Sequence, residues 1–191
     1  MHKLFEPGEK VLIFSVYESQ GQVIYEHGGT KEDFTCLDEF REGCNNIWFL
    51  NQPIDGEYHL NPREGKDSRR SEESVTSWRY MVIESDKAPE HLWLRMLVQA
   101  PLPIAAIYTS GKRSIHTLVR VDAESKGAWD KFRDSIEIDL VTLGADRSSL
   151  TAVRLTRLPG CRRGDTGQLQ RLLYLNPEPT DTPIYQEETN K

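Results

Sequence analysis

Tyr80-Met81-Val82-Ile83-Glu84-Ser85-Asp86 is an apolar run that closes on two carboxylates, and its reading decides the rest. Alternation with a period of two makes it a strand carrying Glu84 and Asp86 on one face, their Cα atoms about 6.6 Å apart. Two carboxylates at that separation can grip one cation. Without a cation or a shared proton, like charges so close in a half-buried site repel each other. A plainer reading lets Asp86 cap a helix that starts near Pro89 and turns Glu84 to solvent. The neighbouring segments have to separate the two.

Downstream the expected order is strand 79–85, helix 88–99 with Pro89 in its first turn, and strand 104–108. Residues 115–121 alternate as a further strand. Ser125 caps a helix reaching Leu143, where Gly144 supplies the stop. Its wheel sets Phe132, Ile136 and Leu143 on one face with Trp129 and Leu140 flanking, a stripe suited to packing on a sheet. Strands at 152–158 and 169–175 close the pattern, and a Pro- and Glu-rich tail over 177–191 is expected to be disordered. Upstream, 51–77 lacks any apolar period and reads as one long loop. Before it come strands 11–17 and 23–25 about a Gln20-Gly21 turn. A short helix capped by Thr30, with Phe34, Leu37 and Phe40 on one side, leads to strand 47–50.

The 191 residues carry 24 Lys and Arg against 30 Asp and Glu, a net charge of -6. With 37% hydrophobic residues and a mean hydropathy of -0.60, the chain sits at the polar end of the globular range. Such a balance argues against holding DNA tightly by overall charge. Cations nevertheless gather from Arg63 to Arg70, at Lys112 and Arg113, and from Arg154 to Arg171, so a local basic channel on an acidic body fits. No apolar run approaches the roughly 20 residues of a membrane span, and Met1-His2-Lys3-Leu4-Phe5 lacks the apolar core of a secretory signal. The expectation is a cytoplasmic protein with no membrane partner. Cys36, Cys44 and Cys161, odd in number and widely spaced, suit reduced thiols better than a disulfide framework.

Gly111-Lys112-Arg113-Ser114-Ile115-His116 opens a strand in which alternation aligns Lys112, Ser114 and His116. An ammonium, a hydroxyl and an imidazole together suit a triphosphate, and Gly111 lets backbone approach a ligand. Taken alone, His116 is an ordinary sheet-face histidine, and its company favours the functional reading. Asp146 follows Gly144 on a loop free to turn toward the sheet, and Arg154-Leu155-Thr156-Arg157-Leu158-Pro159-Gly160 comes next. Arg154 and Arg157 face opposite sides of a regular strand, and both serve one site only if it bends before Pro159. A rival third carboxylate is Asp139, which the wheel sets on the apolar stripe, where an unpaired charge is costly.

In order, Glu84-Ser85-Asp86, Ser114-Ile115-His116 and Asp146 resemble the three motifs of the archaeo-eukaryotic primase superfamily, which includes the primase-polymerases of phages, plasmids and mobile elements. Many relatives have Asp where this chain has Glu84. Lys112 falls where some relatives place a phosphate-binding lysine, and Arg154 with Arg157-Leu158-Pro159-Gly160 looks like the segment beside the nucleotide. The resemblance runs over about 49–176. It implies an α+β fold: an RRM-like catalytic sheet with flanking helices and a smaller N-terminal α/β part. The expected division is one domain over 1–176, with N-terminal strands and helix in 1–48 and a catalytic core in 78–175.

The resemblance further implies templated transfer of a nucleotide from an NTP or dNTP to a 3′-hydroxyl on single-stranded DNA. Two Mg2+ or Mn2+ ions would be bound by Glu84, Asp86 and Asp146, with His116 also catalytic. Lys112, Ser114, His116, Arg154 and Arg157 would hold the nucleotide. Carboxylates suit such hard cations, and two ions can activate the attacking hydroxyl and stabilise the leaving group. Arg69 and Arg70 are candidate template contacts, though a charged loop is by default solvated. Primases of this kind often work with a helicase, and no Walker phosphate loop occurs in these residues, so a helicase would lie on another chain or domain. Two other classes compete. A noncatalytic RRM-like binder needs exposed aromatics, for which Tyr80 and Tyr108 are available. A rolling-circle nickase needs a His-hydrophobe-His pair, which His2, His27, His59, His91 and His116 do not form.

Overall fold

The structure, a computed structural model, describes residues 3–15, 22–26, 46–62 and 64–186. The expected Gln20-Gly21 turn, the helix of Thr30, Phe34, Leu37 and Phe40, Cys36, Cys44 and Arg63 lie outside the described residues. In chain order come β1 (Lys10–Ser15), β2 (Gln22–Glu26), β3 (Ile47–Leu50), β4 (His59–Asn61), β5 (Lys66–Ser68) and β6 (Trp78–Glu84). Then follow α1 (Glu90–Gln99), β7 (Ile104–Thr109), β8 (Ile115–Ala123), α2 (Lys126–Thr142), β9 (Leu155–Arg157) and β10 (Leu172–Leu175).

Two four-stranded antiparallel sheets carry the architecture, ordered β2-β1-β3-β9 and β10-β7-β8-β6. In the second, β8 pairs antiparallel with both β6 and β7, so β6 and β7 run parallel with β8 between them. This is a split βαβ unit, with α1 as its crossover. The alternation of β6 sorts its residues between two cores. Tyr80 and Val82 meet Ala106, Tyr108 and Leu118 of their own sheet and Val11, Ile47 and Phe49 of the other. Met81 and Ile83 lie on the opposite face, packed with Trp93 and Leu97 of α1 and Trp129 and Leu140 of α2. The molecule is therefore sheet on sheet on helices, an α+β arrangement.

β6 is an edge strand, and buried side chains close its free edge. Gln52 Oε1 accepts from the Arg79 and Tyr80 amides at 2.8 and 3.0 Å, while Asn51 Nδ2 donates to Tyr80 O at 2.9 Å. The N-terminal residues are fastened there as well. Both oxygens of Glu9 accept from the Arg79 guanidinium, at 2.5 and 2.7 Å, and the Tyr80 hydroxyl donates to Leu4 O. β9, expected within the core of 78–175, instead pairs with β3 in the N-terminal sheet, tying the two parts together.

Several expectations need correction. The long loop over 51–77 holds a hairpin, β4 with β5, and a 3-10 turn at Glu72–Ser74. Its strands are short and polar, so they leave no apolar period to read. Strand β6 stops at Glu84, which leaves Asp86 on the following turn rather than on the sheet face. Leu143, expected on the buried stripe of α2, is 56% exposed, and Asp139 is exposed too. The buried face turns instead through Trp129, Phe132, Ile136 and Leu140, so Asp139 carries no burial cost. Residues 177–186 run against the body, where Arg120 donates to Pro177 O at 2.5 Å and the Tyr185 amide to Val98 O at 2.9 Å. Among the described residues no helix is long and apolar enough to cross a membrane.

Candidate active site

The far end of β6 lies where the two sheets face each other, and three polar side chains, Glu84, His116 and Arg154, meet there. Glu84 follows Tyr80 and Val82 on the inter-sheet face and is 5% exposed. Register pairs it with His116 of β8, whose Nδ1 lies 3.0 Å from Glu84 Oε2. Arg154, just ahead of β9, donates from its guanidinium to Glu84 Oε1. Burial alone would raise the Glu84 pKa. The hydrogen bond and charge of His116 and the charge of Arg154 outweigh it and bring the group down to about 2. An ionised carboxylate only accepts hydrogen bonds, so Nδ1 of His116 carries a hydrogen and Nε2 is the atom left for a ligand.

Three residues that sequence reasoning missed hold this group in place. Thr156 Oγ1 sits 2.9 Å from His116 Nδ1 and 2.7 Å from the Tyr108 hydroxyl. Burial pushes the Tyr108 pKa far above its usual range, so the group stays a neutral phenol that needs this partner. Asn51 brackets Arg154: its amide donates to Arg154 O at 3.1 Å and its Oδ1 accepts from Arg154 N at 2.9 Å. These contacts depend on β9 returning to β3, a pairing more than a hundred residues apart in sequence. The one cue was that Arg154 and Thr156 share a strand face.

The remaining carboxylates surround the same strand end. The Asp146 amide donates to Glu84 O at 2.8 Å, which roots Asp146 beside the motif strand, and its side chain is half-buried. Asp86 does not cap α1. The N-cap of α1 is Pro89, with no side-chain cap hydrogen bond. Ser85 Oγ instead organises the turn ahead of it, accepting from the Lys87 and Ala88 amides at 3.3 and 3.0 Å, and the exposed Asp86 carboxylate makes no hydrogen bond or ion pair with the described residues. Among those residues, no three acidic, histidine or cysteine side chains stand together as a metal-binding group. Both oxygens of Glu84 are engaged, by Arg154 and His116. The donor set still suits a hard cation, because Asp86 and Asp146 are open and anchored to one strand end.

Other expected site residues are placed elsewhere. Strand β8 begins only at Ile115, so Lys112 is not aligned with His116; it lies on the turn, 3.3 Å from Asp165. Ser114 is buried and bonds Ser110 Oγ at 3.0 Å. Arg157 stacks over Trp48, 4.1 Å from the ring centroid, on the face of β9 opposite Thr156. Burial, with the nearby charge of Arg163, lowers Arg157 to about 10. Arg69 stacks on Tyr58, while Arg70 donates to Val153 O next to Arg154. Gly111, with φ of +74°, serves the loop packing: a Cβ there would lie 2.9 Å from Arg163 Cβ. Tyr80 and Tyr108, the aromatics a base-stacking sheet would display, are 0% and 1% exposed.

No protein-family model and no curated protein matches the chain. Two solved structures share its fold. One is the archaeo-eukaryotic primase domain of the cyanophage S-2L primase-polymerase: TM-score 0.54, 18% identity, covering 93% of this chain and 86% of that one. The other is the catalytic domain of primase Repb′ in complex with initiator DNA: TM-score 0.54, 15% identity, covering 90% of this chain and 79% of that one.

Proposed function

From a chain with the fold of a primase-polymerase catalytic domain, we propose a DNA-templated nucleotidyltransferase, a primase and/or DNA polymerase, that joins nucleotides from NTPs or dNTPs to a 3′-hydroxyl. One observation carries the reading: Glu84, His116 and Arg154 meet at the end of β6, with Asp146 bonded to the Glu84 carbonyl and Asp86 open two residues on. Asp86 and Asp146 would hold two Mg2+ or Mn2+ ions, joined by Glu84 once it leaves Arg154. When bound, such ions supply Lewis-acid activation of the hydroxyl and charge neutralisation at the pyrophosphate. His116 and Arg154 bind the triphosphate, the former through Nε2 and the latter through the guanidinium it withdraws from Glu84. Thr156 and Tyr108 orient His116, and Asn51 orients Arg154.

The test is incorporation of labelled nucleotide on primed and unprimed single-stranded DNA, with Mg2+ or Mn2+ and with chelator. Template-directed extension that chelator stops is the expected result. The unprimed arm separates primase from polymerase. A noncatalytic nucleic-acid binder is the second reading, favoured by the engagement of both Glu84 oxygens. DNA binding with no incorporation under any of these conditions would select it.

A further inference from the structure

The basic segments 112–113 and 162–171 are about fifty residues apart in sequence, yet the fold zips them into one surface. Thr166 Oγ1 donates to Gly111 O at 2.6 Å, and the Thr109 amide donates to Arg171 O at 2.8 Å. Only a glycine at 111 lets the 110–114 turn come this close to the 160–170 hairpin, given its positive φ and the proximity of Arg163 Cβ. Asp165 lies between Arg163 Nε, at 2.7 Å, and Lys112 Nζ, at 3.3 Å, and so braces two cations side by side. Lys112, Arg162 and Arg171 line the resulting concavity, whose only acidic lining residue among those described is Glu90. Arg113 is exposed on the same turn.

The surface stands at the catalytic end of the sheet. Thr109 pairs with Ile115 and Glu84 with His116, so the 110–114 turn and the end of β6 lie on the same side. On a chain of net charge -6, a patch with this excess of exposed cations is complementary to a polyanion rather than to the chain's own surface. We infer that this face, through Arg113, Arg162 and Arg171, is the track for the phosphate backbone of the single-stranded template, in place of Arg69 and Arg70. The inference rests on the nucleic-acid reading above. Contacts of this kind position a strand and carry no sequence information.

The experiment is fluorescence anisotropy of labelled dT20 and of a mixed-sequence 20-mer across a salt series. It compares wild type with Arg162→Glu/Arg171→Glu, with Arg113→Glu, and with Lys131→Glu on exposed α2 as a charge control. The double variant should lose about tenfold or more in affinity near 0.1 M salt. Its slope of log affinity on log salt should flatten by about 1.4, at roughly 0.7 per phosphate contact on a single strand. Arg113→Glu, an exposed side chain without a hydrogen bond to the described residues, should flatten it by about half as much. Both oligonucleotides should respond alike, and Lys131→Glu should match wild type. Wild-type affinity and slope in both patch variants would overturn this surface and leave the function standing, as would an equal loss in Lys131→Glu. No binding by wild type even at low salt would overturn both.

Discussion

Glu84 is a buried carboxylate whose ionised form is held by His116 and Arg154, and its titration is tied to stability. Its folded pKa, about 2, lies below the ordinary value of 4.5. The stabilisation is therefore complete above pH 4.5 and is lost as pH falls toward 2; at full size it amounts to about 3 kcal/mol. Urea unfolding of wild type and Glu84→Gln across that window should show the stability gap closing as pH falls, and a constant gap would count against the ion pair. Thr156→Val should cost about 1–3 kcal/mol by leaving the buried Tyr108 hydroxyl without its partner, and Thr156→Ser should recover most of it. Equal losses in Val and Ser variants would place the effect in packing instead. Glu84, His116 and Arg154 were legible because each sits in a short pattern whose chemistry is unusual. Thr156, Tyr108 and Asn51 were not, since a threonine, a core tyrosine and a loop asparagine gain their roles only through the distant pairing of β9 with β3.

Elements differ in how openly the chain declares them. β6, β7 and β8 are apolar and regular, so strand reading found them within a residue or two, and cap, stop and stripe signals did the same for both helices. The β4–β5 hairpin escaped because its residues are polar, and the exposure of Leu143 escaped because the helix ends at Thr142, just short of it. The end of β6 matters most: a strand two residues longer would have carried Asp86 into the sheet face. The ST-type turn at Ser85 stops it and leaves Asp86 open. The turn at Gly111 is the other decisive junction. Gly111→Ala should destabilise by about 1–3 kcal/mol, because it combines a left-handed backbone with a Cβ 2.9 Å from Arg163 Cβ. Denaturant titration showing no loss would contradict the close packing of the two basic loops.

At the scale of the molecule, the two sheets share one core and exchange a strand, so they should unfold together. Arg79→Met removes one partner of the ion pair with Glu9 that pins the N-terminal residues to β6. It should lower stability by about 3 kcal/mol in a single transition. A separate early transition would show the N-terminal sheet to be independent. The α+β class followed from the motif resemblance, with which the order of strands and helices agreed, whereas the joining of β9 to β3 was not legible, because local pattern does not encode which sheet a three-residue strand enters. The central claim is that nucleotide transfer takes place at the end of β6. Its most direct measurement is template-directed incorporation by wild type, Asp86→Ala, Asp146→Ala and Asp139→Ala, with folding checked by circular dichroism. The structure predicts loss of at least about a hundredfold in the first two variants and near wild-type synthesis in Asp139→Ala, whose carboxylate is exposed on α2. Synthesis that survives in Asp86→Ala or Asp146→Ala, or that fails in Asp139→Ala alone, would contradict it.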